Sequence, residues 1–264
     1  MNHRLQNKTV VITGASGGLG EQIAYACAEN KASVILLARN VEKLKVMKAD
    51  IEKKHSVRCG IQFLDVSKHE QIPAVFQKIR EEFGTIDVLV NNAGYGVFEE
   101  AHDATITDIK GMFDVNVVGL MACTKEVLPF MRDKKSGHII NIASQAGKMA
   151  TPKSSVYAAT KHAVIGYSNS VRMELVPYHV FLTTVNPGPI ATNFFEMADK
   201  SGTYVKSIEK FMLNPEKLAR KIVECMFTKR REINAPYWMN AGSTIYSLFP
   251  RMVERIGRKA FYKK

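Results

Sequence analysis

The 264-residue chain contains no run of about 18 uncharged apolar residues, the length a membrane-spanning helix needs, so none is expected. Its four cysteines, Cys27, Cys59, Cys123 and Cys225, form no Cys-x-x-Cys pair and keep no ligand-like spacing to the seven histidines. Disulfide staples and a cysteine-based metal site are thereby excluded; the thiols read as reduced core residues and no metal is expected. Internal repeats, low-complexity tracts and long Pro/Gly/Ser linkers are missing too, which argues against a modular or repeat architecture. The opening MNHRLQNK is polar and lacks the charged-then-apolar pattern of a signal peptide, so a cytoplasmic location is the expectation.

What is present describes a folded body with an unusual end. With 46% hydrophobic and 23% charged residues, disorder is ruled out, and the length suits one large core. Lys and Arg outnumber Asp and Glu by 37 to 25, but the excess is uneven: 22 basic against 20 acidic residues up to position 199, then 15 against 5. Nucleic acid, an anionic membrane or an acidic substrate would each suit such a charge, and only the last quarter carries it.

Apolar, β-branched runs at 9–13, 33–38, 60–64, 88–91, 138–142 and 181–185 alternate with helix-period segments at 19–30, 41–54, 72–83, 106–132 and 156–177. Strands apolar throughout are covered on both faces, as in a parallel sheet. The alternation predicts right-handed βαβ crossovers and an α/β fold: one doubly wound Rossmann-type domain over 1–264, with about seven strands and helices on both faces. A further helix over 215–227, with Asn214 as cap and Pro215 in its first turn, and an edge strand at 233–235 complete it.

Directly after the first run comes Thr13-Gly14-Ala15-Ser16-Gly17-Gly18-Leu19-Gly20, leading at once into a helical segment. Glycine permits positive φ and close backbone approach, and the N–H groups of a helix start attract a pyrophosphate. A bare strand-to-helix turn is the plainer reading, and the strand before and helix after weigh against it. The second strand ends in Arg39, where an acid would favour NAD and an Arg accommodates the 2′-phosphate of NADP. Arg39 is therefore read as a phosphate partner and NADPH as the expected cofactor, against the alternative of a solvated surface Arg.

Taken in order, these residues resemble the short-chain dehydrogenase/reductase family, in the variety with a TGxxxGxG loop and a YxxxK pair. Gly14, Ser16, Gly17, Gly18, Leu19 and Gly20 lie in its cofactor loop, and Asp65-Val66 is similar to its adenine-binding pair. Asn91-Asn92-Ala93-Gly94 resembles its NNAG element, and Pro187, Gly188, Ile190 and Thr192 its segment near the nicotinamide. Ser144, Tyr157 and Lys161 fall in the order and spacing of its catalytic Ser, Tyr and Lys, with Asn116 as the fourth member. The resemblance implies that Lys161 and Tyr157 also contact the nicotinamide ribose and that Asn116 positions Lys161 through a water. In several NADP-preferring relatives a Lys or Arg precedes the middle glycine of the loop, where this chain has Gly17.

The residues support that chemistry on their own terms. Tyr157 and Lys161 are four apart on a predicted helix, so they share a face, and a nearby ammonium lowers the phenol's pKa from about 10. A carbonyl under reduction gathers negative charge on oxygen and needs a proton donor, Tyr157, and a hydrogen bond, Ser144. NADPH would supply the hydride. Each residue also has a plainer reading: a packed aromatic for Tyr157, a turn former for Ser144, a local helix bend for Asn116.

The segment 194–214 is the expected substrate lid. Phe194, Phe195, Met197, Tyr204, Phe211 and Met212, with Tyr95, Ala146 and Met149, suggest an apolar ketone or aldehyde, or the matching secondary alcohol, unless they are ordinary packing. Reduction of 3-oxoacyl groups on a carrier is a narrower alternative; a cofactor-binding regulatory protein without turnover is one of another class. In the extension 243–264, Ile245, Leu248, Phe249, Met252, Val253 and Ile256 recur at helical spacing beside Arg251, Arg255 and Arg258, with Lys259, Lys263 and Lys264 following. That stripe could pack on the lid or another subunit, lie on an anionic membrane, or steer an acidic carrier. No nucleic-acid module is visible. The resemblance implies a homodimer or homotetramer built on the two long helices.

Overall fold

The computed structural model describes residues 3–199 and 208–261, the last four of these as helix backbone only. Seven parallel strands, β1 (Thr9–Thr13), β2 (Ser33–Ala38), β3 (Cys59–Phe63), β4 (Val88–Asn91), β5 (Gly137–Ile142), β6 (Val180–Pro187) and β7 (Glu232–Ala235), form one sheet in the order β3-β2-β1-β4-β5-β6-β7. The order reverses between β1 and β4, so the connections leaving those neighbours diverge and open a crevice at the strands' carboxyl ends. This is the doubly wound α/β fold expected.

Strand parity explains why the runs are apolar throughout. Val10, Ile12, Val34, Leu36, Val88 and Val90 point into the core under α1 (Gly18–Glu29), α2 (Val41–His55) and α8 (Pro215–Cys225). Their neighbours Val11, Ile35, Leu37 and Leu89 point the other way, under α3 (Ile72–Phe83), α5 (Leu120–Lys134) and α6 (Ser155–Leu175). A period-2 strand covered on both faces has no polar face to show. All four cysteines are free and buried in these cores. The helix starts are set by local chemistry: the Asn40 side chain accepts from the Lys43 N–H at 3.0 Å, and Asn214 accepts from Lys217 N–H at 2.9 Å ahead of Pro215.

One helical expectation changes. The segment 106–132 is not one helix: α4 (Ile106–Phe113) and α5 are separated by a π-helical stretch, Asp114–Gly119, that contains Asn116. Three valines crowd that turn, Asn116 hydrogen-bonds outside the helix, and Gly119 packs so closely on the Val66 carbonyl that a Cβ there would approach it to 2.5 Å. The C-terminal pattern is two helices, α9 (Tyr237–Leu248) and α10 (Pro250–Phe261), with Pro250 in the first turn of the second. The segment expected to form a lid begins with α7 (Phe194–Ala198); Tyr204, Lys263 and Lys264 lie outside the described residues.

His138 ties β5 to β6 and to the segment before β7. Its Nδ1 accepts the Phe227 N–H at 2.8 Å, so Nε2 carries the proton and donates to Thr183 Oγ1 at 2.9 Å. Burial pushes its pKa down to about 3, from about 6.5 for a free imidazole. The folded state thus holds His138 neutral, and the stability this represents is complete above pH 6.5 and lost as pH falls toward 3. Thermal unfolding should show a loss of about 2 kcal/mol between pH 7 and 5, and His138→Gln should flatten that slope while lowering stability at pH 7.

Candidate active site

At the crevice between β1 and β4 the glycine-rich loop Thr13–Gly20 is held by a compact clasp. Thr13 Oγ1 accepts the N–H groups of Asn92 and Ala93, both at 3.0 Å, while the Asn92 side chain donates to the Thr13 and Gly14 carbonyls at 3.0 and 3.1 Å. Gly14 and Gly18 take φ of +64° and +55°, which favours glycine. A Cβ at Gly20 would sit 2.5 Å from both Asn92 Nδ2 and the Gly14 carbonyl oxygen. Gly17 precedes α1 in extended conformation, and no side chain caps that helix start.

Beyond the loop lies a cavity of about 630 Å³. Gly14, Ser16, Gly17, Gly18 and Leu19 of the loop line it, together with Asn92, Ala93 and Gly94 after β4 and Pro187, Gly188, Ile190 and Thr192 after β6. The Thr192 side chain crosses to within 3.2 Å of where a Gly18 Cβ would lie. Ser144, Tyr157 and Lys161 line the same cavity.

Their geometry is specific. Lys161 is 5% exposed, and its Nζ donates to the Ile142 carbonyl at 2.9 Å. Burial pushes its pKa down to about 8. It lies 5.7 Å from the centre of the Tyr157 ring and follows that residue by one helical turn. Ser144 Oγ accepts the Ala146 N–H at 3.0 Å and donates to the Pro187 carbonyl at a long 3.4 Å. The Tyr157 ring is flanked by Phe98 and Phe194, with centroids at 6.0 and 5.6 Å, and Phe195 completes the cluster. Phe98 carries no spacing signal in the sequence; the loop after β4 delivers it through the bond from its N–H to the Ala198 carbonyl.

Several expected residues have different surroundings. Asn91 does not line the cavity: it is buried, and its side chain donates to Thr124 and Asn141 at 2.9 Å, bracing β4 against β5 and α5. Asn116 Oδ1 accepts the Tyr95 N–H, and both its amide hydrogens are engaged by the Tyr95 carbonyl and Thr160 Oγ1. Its side chain anchors the loop after β4. Tyr95 does not line the cavity and directs its hydroxyl at Gly111. Ala146 and Met149 do line it, while Met197 and Phe211 are exposed. Arg39, Asp65 and Val66 stand at the ends of β2 and β3, outside the cavity lining. Burial alone would raise the Asp65 carboxyl, but two hydrogen bonds from Ser67, with Arg39 and Lys68 nearby, hold it below the usual range.

One cation escaped the motif reading. Lys43, in the first turn of α2, lines the cavity with Nζ 3.8 Å from where a Gly17 Cβ would lie, paired with Glu21 at 3.1 Å. The only signal for it in the sequence is its place four residues after Arg39.

The donor set fits a dinucleotide. An uncapped helix start behind positive-φ glycines suits a pyrophosphate, a buried ammonium in the cavity suits ribose hydroxyls, and Gln145, which lines the cavity, keeps a buried Oε1 without a partner. No cluster of metal-ligating side chains occurs among the described residues, and no described helix is long and apolar enough to cross a membrane.

Comparison with known proteins agrees with this geometry. The family model described as short chain dehydrogenase matches residues 8–201. The chain is 34% identical over 237 residues to the NADP-dependent 3-hydroxy acid dehydrogenase of Schizosaccharomyces pombe, covering 87% of this chain and 90% of that one. Among solved structures it is similar to an alcohol dehydrogenase from Thermococcus sibiricus complexed with 5-hydroxy-NADP, with TM-score 0.78, 28% identity and 87% and 96% coverage. L-Sorbose reductase from Gluconobacter frateurii, complexed with NADPH and L-sorbose, matches with TM-score 0.80, 26% identity and 89% and 97% coverage.

Gly20→Ala would force the clasp apart. Its affinity for a reduced nicotinamide cofactor, read by fluorescence titration, should fall at least about tenfold, with about 1–3 kcal/mol lost in thermal stability.

Proposed function

The chain belongs to the short-chain dehydrogenase/reductase family and is an oxidoreductase with a nicotinamide cofactor, and we propose that it is an NADPH-dependent reductase of apolar ketones and aldehydes, reversible toward the secondary alcohols. The observation that carries this reading is the convergence of Ser144, Tyr157 and Lys161 on a cavity whose wall beside Tyr157 is Phe98, Phe194 and Phe195.

When bound along Gly14 to Gly20 and Pro187 to Thr192, the cofactor would supply the hydride. Tyr157 donates its phenolic proton to the carbonyl oxygen as charge gathers there. The Ala146 N–H fills one acceptor site of the Ser144 oxygen and leaves its hydroxyl on a long hydrogen bond to Pro187, which it can exchange for a hydrogen bond to the substrate oxygen while keeping its proton. Lys161, as the ammonium, holds ribose hydroxyls and stabilises the phenolate left on Tyr157. The three phenylalanine rings keep water from this exchange and favour an apolar substituent on the carbonyl.

For the 2′-phosphate we assign Arg39 together with Lys43, which brings a cation to the loop position where Gly17 has none. Support comes from the relatives bound to or named for NADP and NADPH. A second reading, reduction of 3-oxoacyl groups, draws on the 3-hydroxy acid specificity in the name of the fission-yeast relative. A homodimer or homotetramer belongs to the proposal, supported by the exposed Val118, Phe130 and Met173 on the π stretch, α5 and α6.

A panel of apolar ketones, aldehydes and 3-oxoacyl thioesters followed by NADPH absorbance tests the reading; turnover of none would sink it. Tyr157→Phe should bind NADPH within about twofold of the parent and lose about 10²–10⁴ in kcat. For the intact enzyme, kcat/KM for reduction should decline above about pH 8, where Lys161 gives up its proton. Arg39→Ala and Lys43→Ala should each lower the NADPH-to-NADH ratio of kcat/KM by about tenfold; an unchanged ratio in both removes the phosphate assignment.

A further inference from the structure

Helix α9 has two faces with different fates. On the inner one, Met239 lines the active cavity, Asn240 accepts from Lys148 Nζ at 3.2 Å, and Ser243 is buried. On the outer one, Tyr237, Trp238, Ile245 and Leu248 are all exposed, and their spacing puts them within one arc of the helix. The apolar surface continues through Phe249 into α10, where Met252 and Ile256 are exposed one turn apart. Trp238 is 59%, Leu248 67% and Ile256 78% exposed, values far from those of core residues. Trp238 meets Phe211 edge to face at 6.4 Å and adjoins the cavity-lining Met239, so the stripe runs from beside the active cavity down the tail.

Charge says what covers it. Arg251 and Arg255, both exposed, precede Met252 and Ile256 by one position each, so a basic row runs alongside the apolar one. Glu254, the lone acid from 243 onward, is engaged by the Tyr246 hydroxyl at 3.2 Å. A second copy of the chain seated stripe to stripe by a twofold axis would bring one cationic tail against the other. An anionic bilayer satisfies both rows at once: apolar side chains enter the acyl boundary, arginines meet headgroups, and Tyr and Trp suit the interface between them.

We propose that α9 and α10 form a peripheral docking face for an anionic lipid surface, which sets the mouth of the active cavity beside the bilayer.

The test uses the full chain in co-sedimentation with vesicles of phosphatidylcholine alone or mixed with phosphatidylglycerol, at low and high salt. The parent should partition at least about tenfold more onto the mixed vesicles at low salt and lose most of that at high salt. Ile245→Glu/Leu248→Glu and Arg251→Glu/Arg255→Glu, all at exposed positions, should each cut the partition by at least about tenfold, with NADPH affinity within about twofold of the parent. Equal partition onto both vesicle types, or none, overturns the proposal, as does an unchanged partition in either double variant. If the parent ignores lipid and Ile245→Glu/Leu248→Glu lowers the mass in sedimentation velocity, the stripe is a subunit interface instead and the proposal falls.

Discussion

The clasp between Thr13 and Asn92 joins the end of β1 to the end of β4, the two strands between which the sheet reverses direction. It uses one hydroxyl to hold two N–H groups and one amide to hold two carbonyls, so the two strand ends satisfy each other's polar groups directly. The glycine loop can take its positive-φ turns only against this floor, since Gly14 and Gly20 both lie in contact with it. Everything that binds in the crevice depends on that spacing: a loop lifted from the floor would move the α1 N–H groups away from any phosphate placed over the cavity.

A second constraint is the burial of Lys161. An ammonium removed from water needs partners, and the protein gives it the Ile142 carbonyl while leaving the rest of its donors toward the cavity. The cost appears as a pKa near 8, close enough to neutrality for the charge to respond to what binds. The aromatic cluster around Tyr157 sharpens the effect, because a dry wall strengthens every charge interaction inside it. Asn116 and the π-helical turn act one layer out, fixing the loop that carries Gly94, Tyr95 and Phe98.

Charge divides the molecule. The nucleotide-binding body is nearly balanced, and its cations near the cavity are few: Lys161 in the core of the site, Lys43 beside the glycine loop, and Arg39 after the end of β2. The surplus lies in the last quarter of the chain, where α9 is uncharged, contributes Met239 to the cavity and turns an apolar face outward, and α10 adds Arg251 and Arg255 beside the apolar stripe.

The local features of the site were legible from residue order alone, because they depend on backbone geometry over a few residues. The Thr13 to Gly20 loop, the one-turn spacing of Tyr157 and Lys161, the Asn214 cap and the apolar strands are of this kind, and so is the family resemblance they carry. What the folded chain decided are encounters between segments distant in sequence. Phe98 reaches Tyr157 because the loop after β4 folds across α6, and Lys43 reaches Gly17 because α2 starts beside the loop. Asn91, one residue from the clasp, points to the opposite side and braces the core, since successive strand residues face opposite ways. The break in the helix at Asn116 belongs there too: hydrogen bonds to a loop 21 residues earlier set it, and no helical periodicity encodes them.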